Sequence, residues 1–488
     1  MGQISPRFQR NHKKGMEVPH VTETDRGGKP VESYLKSLLT GRDADYLEIR
    51  IEESQLNEMA FRGRKLEDLG QSTAYGGNVR ALVNGGWGFV SFNSMDNLEK
   101  KVDLAIDQAR IIGRNTDEKT ELAPVSPIQD VVRAELDSDP AQVPLSRKRQ
   151  VVEEYHGIIL DTGEEIKSSA VTYFDRSTRL TFANSEGTYI QQDKVDLALG
   201  LGAAATRSGL TQTFGHALGG SSGFDLVLNQ QDKARDAAER AIAMLDAPSI
   251  QGGQYTVILD PGLAGVFVHE AFGHLSEADD LFDNPNLREL MKLGTVYGPP
   301  NLSIYDSGLH RGTRGFLKYD DEGVPTEKTY LIKEGELVGR LHSRESAGRL
   351  GEKPTGNARA LDYRFRPICR MRTTCIEPAD ASFEDMLAGV KRGVYAVSSQ
   401  GGQTNGEMFT FTAGEALMIR DGQIAERVRD VTLTGNVFTT LGNIDMIGAD
   451  LLLKDGPGGC GKGSQSPLPI TTGSPHIRIQ NVVIGGRK

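Results

Sequence analysis

Two imidazoles and a carboxylate stand close together in His269-Glu270-Ala271-Phe272-Gly273-His274. Neutral imidazoles suit zinc, and a glutamate beside them suits the proton transfers of hydrolysis. The spacing is awkward for a regular helix. Ligands from one helix stand at i and i+4, as in His-Glu-x-x-His. Histidines five apart would point ~140° away from each other at about 3.6 residues per turn. Two arrangements remove the conflict. A π-bulge or broken turn at Gly273 brings both histidines to one face, and such bulges favour functional sites. Otherwise the helix is regular, and Glu270 and His274, at i and i+4, form the pair. The first is favoured, since both imidazoles then serve as ligands and Glu270 is free as base. The plain alternative is two satisfied core or surface histidines. Against it stand the apolar neighbours Leu263, Val266, Phe267 and Phe272. Three ionisable groups beside such a surface are costly unless something pairs them.

A third ligand is available in Cys460, within Gly456-Pro457-Gly458-Gly459-Cys460-Gly461-Lys462-Gly463-Ser464. A thiolate ligates zinc well, flanking glycines let the backbone approach a metal, and Lys462 would lower the thiol pKa. As a bland alternative, Cys460 is a small buried filler. The same stretch nearly matches a nucleotide-binding loop. It fails because Gly463 replaces the hydroxyl that holds magnesium, and because Ser464-Gln465-Ser466-Pro467-Leu468-Pro469 cannot open the helix that supports phosphates. Cys460 with His476 as base would make a cysteine hydrolase, but that leaves the His269 segment without a role. Asp320, Asp321 and Glu322 form either a further acidic site or, preferably, a charged turn between strands. Arg344, Asn357 and Arg359 are candidates for binding a substrate backbone or carboxylate, with buried hydrogen bonding to a sheet as the equal alternative.

These groups need elements to position them. Val257-Ile258-Leu259 reads as a buried strand. Asp260 is a good N-cap, and Pro261 suits the first helical position. Upstream, helices are expected over 31–39, 94–112, 147–160 and 230–245, from their 3.6-residue apolar period. Alternation over 46–54 predicts a strand, and Asn84-Gly85 between apolar runs predicts a hairpin. Trp87 and His156 read as core or surface residues, and this half shows no chemistry of its own. Ala247-Pro248-Ser249-Ile250-Gln251-Gly252-Gly253 reads as a linker. Beyond it, glycine, Thr, Val and Ile dominate, which predicts mostly antiparallel β-structure with the His269 helix and another near 382–391 packed on it. The expected class is α+β: an arm over 1–30, a mixed α/β domain over 31–247 and a β-rich domain over 248–488.

The 488 residues include 38% hydrophobic and 25% charged side chains, an ordinary soluble balance. A net charge of −10 argues against nucleic acid as a partner. No apolar run reaches the ~20 residues of a membrane helix, and the first 20 residues lack the apolar core of a secretory signal. Three cysteines, Cys369, Cys375 and Cys460, are too few for a disulfide framework and point to the cytoplasm.

Beyond the arm, the chain resembles the TldD/PmbA family of metallopeptidases, in particular its TldD branch. The resemblance rests on His269-Glu270-Ala271-Phe272-Gly273-His274, Asp320-Asp321-Glu322-Gly323-Val324-Pro325-Thr326, Pro354-Thr355-Gly356-Asn357-Ala358-Arg359, and Gly458-Gly459-Cys460-Gly461-Lys462 followed by Pro475-His476-Ile477-Arg478-Ile479. It implies an N-terminal α/β domain before a β-rich peptidase domain. It also implies one Zn2+ per active subunit, held by His269, His274 and Cys460, with Glu270 as general base. The implied substrate is a peptide or an unfolded segment. The implied partner is a second copy or a motif-less paralogue, giving a homodimer or heterodimer. The rival to a peptidase is a non-catalytic scaffold or regulatory subunit carrying a structural metal.

Overall fold

The structure is a computed structural model that describes residues 31–282 and 284–485; the arm expected over 1–30 lies outside the described residues. Seven strands make the first sheet: β1 (Tyr46–Gly63), β2 (Lys65–Val83), β3 (Gly86–Phe92), β4 (Gln129–Val132), β5 (Ile166–Asn184), β6 (Tyr189–Arg207) and β7 (Leu210–Gly220). Their order is β3-β2-β1-β5-β6-β4, with β7 also against β6. The β2–β3 turn has positive φ at Asn84 (48°) and Gly85 (75°), as a two-residue hairpin turn requires. β1 runs well past the alternating stretch 46–54, because its polar residues are paired. Asn57 Nδ2 donates to Asp175 Oδ1 at 2.9 Å, and Lys148 Nζ donates to the other oxygen at 2.6 Å. Four helices cover the sheet: α1 (Val31–Leu39), α2 (Leu98–Asn115), α3 (Leu145–Asp161) and α4 (Gln231–Ala243). Their inward residues form two apolar clusters with the strands, one around Val151, Tyr155 and Leu199, the other around Ile49, Val79 and Val102.

The segment expected as a linker is folded in: Ile250 is buried and Ser249 bridges to Arg429. β8 (Gly253–Leu259) follows, parallel to Arg392–Asn405 and antiparallel to Ile477–Gly485. Through Thr432–Asn436 and Met408–Arg420 the pairing returns to Arg392–Asn405, so these five strands close into a barrel. A six-stranded sheet stands beside it, with Ile304–Ser307 and Thr373–Ile376 at its centre and Thr471–Ser474 parallel to the latter. α5 (Pro261–Val268) is buried between the two, and Phe267 meets Phe409 and Phe411 edge-on at 5.4 and 6.0 Å. The helix expected over 382–391 is only Phe383–Leu387, and the chain turns at Gly389 with φ 77°. Among the described residues, no helix is long and apolar enough to cross a membrane.

The two halves are joined by buried charge. Asp320, Asp321 and Glu322 do form a turn, with Gly323 at φ 76°, but it is not solvated. Asp321 pairs with Lys194 of β6 at 2.9 Å and Arg50 of β1 at 3.4 Å, and Glu322 pairs with Arg80 of β2 at 3.1 Å. Burial alone would raise the Asp321 carboxyl; Arg50 and Lys194 instead hold it well below the usual carboxylate range. A carboxyl depressed in the folded state stabilises the fold above its unfolded pKa of about 4, and that contribution fades as pH falls below it. Asp321→Asn is therefore expected to lower unfolding free energy by roughly 3–5 kcal/mol at pH 7, the scale for breaking a buried pair. The gap to the unaltered protein should shrink as urea denaturation is repeated from pH 5 down to pH 3. A gap that stays constant over that range would contradict this account.

Candidate active site

The candidate ligands begin at the end of α5. Asp260 caps the helix as expected: its Oδ1 accepts from Leu263 N at 2.8 Å and also from Ser398 N at 2.9 Å, which ties the helix start to the neighbouring barrel strand. α-Helical bonding stops at Val268, and His269–Gly273 form a π-turn in which His274 N donates to His269 O. The extra residue in that turn brings the two imidazoles together, with ring centroids 5.2 Å apart. Gly273 does not break the ladder by unusual dihedrals; its φ of −57° is ordinary helix. A Cβ there would lie 2.1 Å from Met371 Sδ, so a larger residue would have to displace the methionine side chain.

Cys460 opens the short strand Cys460–Lys462, which pairs with Gln465–Leu468, so no helix follows the glycine-rich run and no phosphate loop exists. Its Sγ lies 3.3 Å from His274 Nε2 across 186 residues of sequence. One donor atom from each of His269, His274 and Cys460 lies within 4.8 Å of the others, and among the described residues this is the only such group of three. His269 Nδ1 is buried without a hydrogen-bond partner, an atom that asks for a ligand. Two imidazoles and a thiolate are a zinc-type donor set, so the residues present fit a metal.

The electrostatics couple the thiol to the imidazoles. Burial would raise the Cys460 thiol, yet the two imidazoles bring it down to about 5. Burial disfavours charge on His274, yet Cys460 and Glu277 hold it up to about 10. Glu277 is wholly buried and its Oε2 faces His274 Nδ1 at 3.3 Å, which orients the ring so that Nε2 faces Cys460. Glu277 in turn meets Lys462 Nζ at 3.2 Å, and Lys462 also reaches Asp279 at 2.5 Å and Asp280 at 3.1 Å. Lys462 thus serves the carboxylates, and the thiol is lowered by imidazoles and not by this lysine. Glu270 is half-buried, 4.0 Å from His274 Nε2.

All four side chains open on one cleft of about 550 Å³ between the halves of the molecule. Its far wall includes His216 of β7, whose Nε2 lies 2.6 Å from Asp236 Oδ2. The half of the chain without evident chemistry therefore contributes a wall of the site. Nothing in the sequence around His216 marks it; Glu277 could have been suspected as an acid three residues after a ligand.

Arg344, Asn357 and Arg359 are not in the lining of this cleft. Each is buried with its donors engaged. Arg344 makes a two-pronged pair with Glu186 at 2.7 and 2.9 Å. Asn357 Nδ2 donates to Asp306 and to the Arg370 carbonyl. Arg359 donates to the Met371 and Pro469 carbonyls. They are tied into the scaffold and stand outside this cleft, which is the buried hydrogen-bonding alternative to substrate binding. His476 is likewise held elsewhere, by Tyr395 and Asp450, so Cys460 does not have it as a base.

Comparison with known proteins meets this geometry. Residues 47–109, 138–245 and 252–486 match, in turn, domain 1, the central domain and the C-terminal domain of the PmbA/TldA metallopeptidases. A Synechocystis metalloprotease is 46% identical over 444 residues, covering 91% of this chain and 95% of that one. This chain belongs to the TldD/PmbA metallopeptidase family. Other TldD/PmbA relatives include a zinc metalloprotease TldD homolog of Saccharolobus solfataricus, 29% identical over 91% of this chain and 97% of its own. TldE from Thermococcus kodakarensis shares the TldD/PmbA fold at a TM-score of 0.73 and 18% identity, over 93% of this chain and 99% of that one. In TldD/PmbA terms, the first two matched domains supply six strands of the seven-stranded sheet, with β4 in the stretch between them, and the third carries the His269, His274 and Cys460 cluster.

Proposed function

We propose that the chain is a zinc-dependent peptidase that hydrolyses peptide bonds in peptides or unfolded segments. His269, His274 and Cys460 hold one zinc ion per active subunit, and Glu270 is the general base. The observation that carries this reading is the meeting of two imidazoles and a thiolate in a cleft that also holds Glu270. The names of the relatives, metalloprotease and zinc metalloprotease, support it. When bound, zinc lowers the pKa of water toward about 7 and polarises the scissile carbonyl. Glu270, free of any fixed partner but His274, accepts the proton of the attacking water and delivers it to the leaving amine. Glu277 keeps His274 Nε2 turned to the cleft throughout. An extended substrate adds as a strand beside the barrel strand that borders the cleft, which gives backbone affinity with little side-chain selectivity. A second copy, or a motif-less paralogue, closes the site against folded proteins. The three cysteines are free thiols, which fits the cytoplasm.

One contact favours a second reading. A low-pKa thiol 3.3 Å from an imidazole is also the pair that a cysteine hydrolase uses. Chelation separates the two. Treatment with 1,10-phenanthroline should abolish cleavage of casein or short peptides, and zinc should restore it. Cleavage that survives chelation but stops with iodoacetamide would replace the metal mechanism by the thiol one.

A further inference from the structure

Cys460 is the one proposed ligand that does not sit on the α5 segment, and its place depends on residues 455–459. Three of these five are glycine (Gly456, Gly458, Gly459), so the run has little conformational preference of its own. It lies directly on the N-terminal sheet. A Cβ on Gly456 would come within 3.0 Å of Ala217 of β7, and one on Gly200 of β6 within 3.2 Å of Pro457. The side chain that fixes the run is Arg314, which is 7% exposed. Its Nη1 donates to the carbonyls of both Gly456 and Gly458, the latter at 2.5 Å. The other edge of the same guanidinium forks onto Asp196 of β6, Nε to Oδ1 at 2.5 Å and Nη2 to Oδ2 at 2.9 Å. The Arg314 backbone N–H donates to Asp455 Oδ1 at 3.2 Å, and Thr471 donates to the same oxygen. Gly219 of β7 makes room for the stem: a Cβ there would lie 2.9 Å from Arg314 Cδ.

We propose that Arg314, anchored by Asp196, is a positioning residue that holds the Cys460 loop in its ligating conformation and so makes the N-terminal sheet part of the metal centre. The inference rests on the metal-site reading above. Its physical basis is preorganisation. A glycine-rich loop that is ordered before metal arrives does not lose its backbone freedom on binding, and a buried bidentate Arg–carboxylate pair has the geometry to order it. Lysine keeps the charge but has one nitrogen, so it cannot bond two loop carbonyls on one side and both carboxylate oxygens on the other.

The test uses the full chain loaded with Co2+, whose thiolate-to-cobalt charge-transfer absorption reports Cys460 ligation directly. Arg314→Lys and Asp196→Asn are expected to bind Co2+ about 10–100-fold more weakly in competition with a chromophoric chelator, the range for outer partners of a metal site. Both should also lose charge-transfer intensity. Lys318→Gln removes a different pair between the halves, with Asp130 at 2.6 Å, and should change neither readout. Asp196→Asn removes only the anchor, so it remains informative if an Arg314 variant folds poorly. Unaltered affinity and absorption in both Arg314→Lys and Asp196→Asn would overturn the clamp while the metal site stands. Absence of the thiolate band from the unaltered protein would overturn the metal-site reading and the clamp together.

Discussion

Glu270→Gln is expected to lower kcat for peptide hydrolysis by about 10³-fold, within the range that a general base contributes, with metal content unchanged. Glutamine keeps the size of the side chain and a carbonyl oxygen toward the cleft, but it cannot accept the proton. Glu270 is well suited to such a substitution, because the fold does not depend on it. It is half-buried at the mouth of the site, and its charged neighbour is His274 at 4.0 Å. The carboxylate that orients His274 is a different residue, Glu277, so removing charge at 270 leaves the ring in place. The affected parameter should be kcat, since Glu270 acts in the transition state and not in holding the substrate backbone. Metal analysis, the far-ultraviolet spectrum and a casein or peptide assay on the same preparation check this. A variant that retains both zinc and full activity removes Glu270 from the mechanism.

Much of this site was legible because its signals are local. Asp260 and Pro261 start a helix by satisfying their own neighbours, and the structure caps it at those residues. The five-residue spacing of His269 and His274 was informative because it is incompatible with a regular helix. A π-turn is the smallest change that repairs it. Asn84-Gly85 specified its hairpin for the same reason: only certain residues accept positive φ. The illegible parts depend on distant partners. β1 continues through Gln55, Asn57 and Glu58 because β2 and β5 flank it along that length, and the β5 pairing spans more than 100 residues, which no window of sequence reports. The role of Gly273 needed Met371, nearly 100 residues away. Arg344, Asn357 and Arg359 have the residue types of a substrate site, but type does not say whether donors face solvent or a carbonyl. His216 and Arg314 come from elements whose own sequences carry no chemical motif. They matter only because the halves of the molecule close over the Cys460 loop.

Cys460→Ser should weaken zinc binding more than any outer-shell change, by over about 100-fold, since outer partners contribute roughly 10–100-fold. Peptidase activity at trace zinc should fall with it. The three cysteines make an internal comparison, because all are buried free thiols and only one is electrostatically prepared to ligate. Burial pushes the Cys375 thiol up to about 12, and burial together with Asp279 drives Cys369 higher still. Burial acts on Cys460 in the same sense, but two imidazoles reverse it to about 5. A serine hydroxyl has no accessible anion in that position, so the donor is lost although its size is nearly kept. Cys369→Ser and Cys375→Ser should leave zinc affinity unchanged, whatever they do to stability. Activity alone would not discriminate, because a thiol nucleophile at Cys460 would also be lost on substitution. Zinc affinity does: a Cys460→Ser protein that binds zinc as tightly as the parent would exclude the thiolate from the metal centre. A large loss confined to position 460 makes it the third ligand.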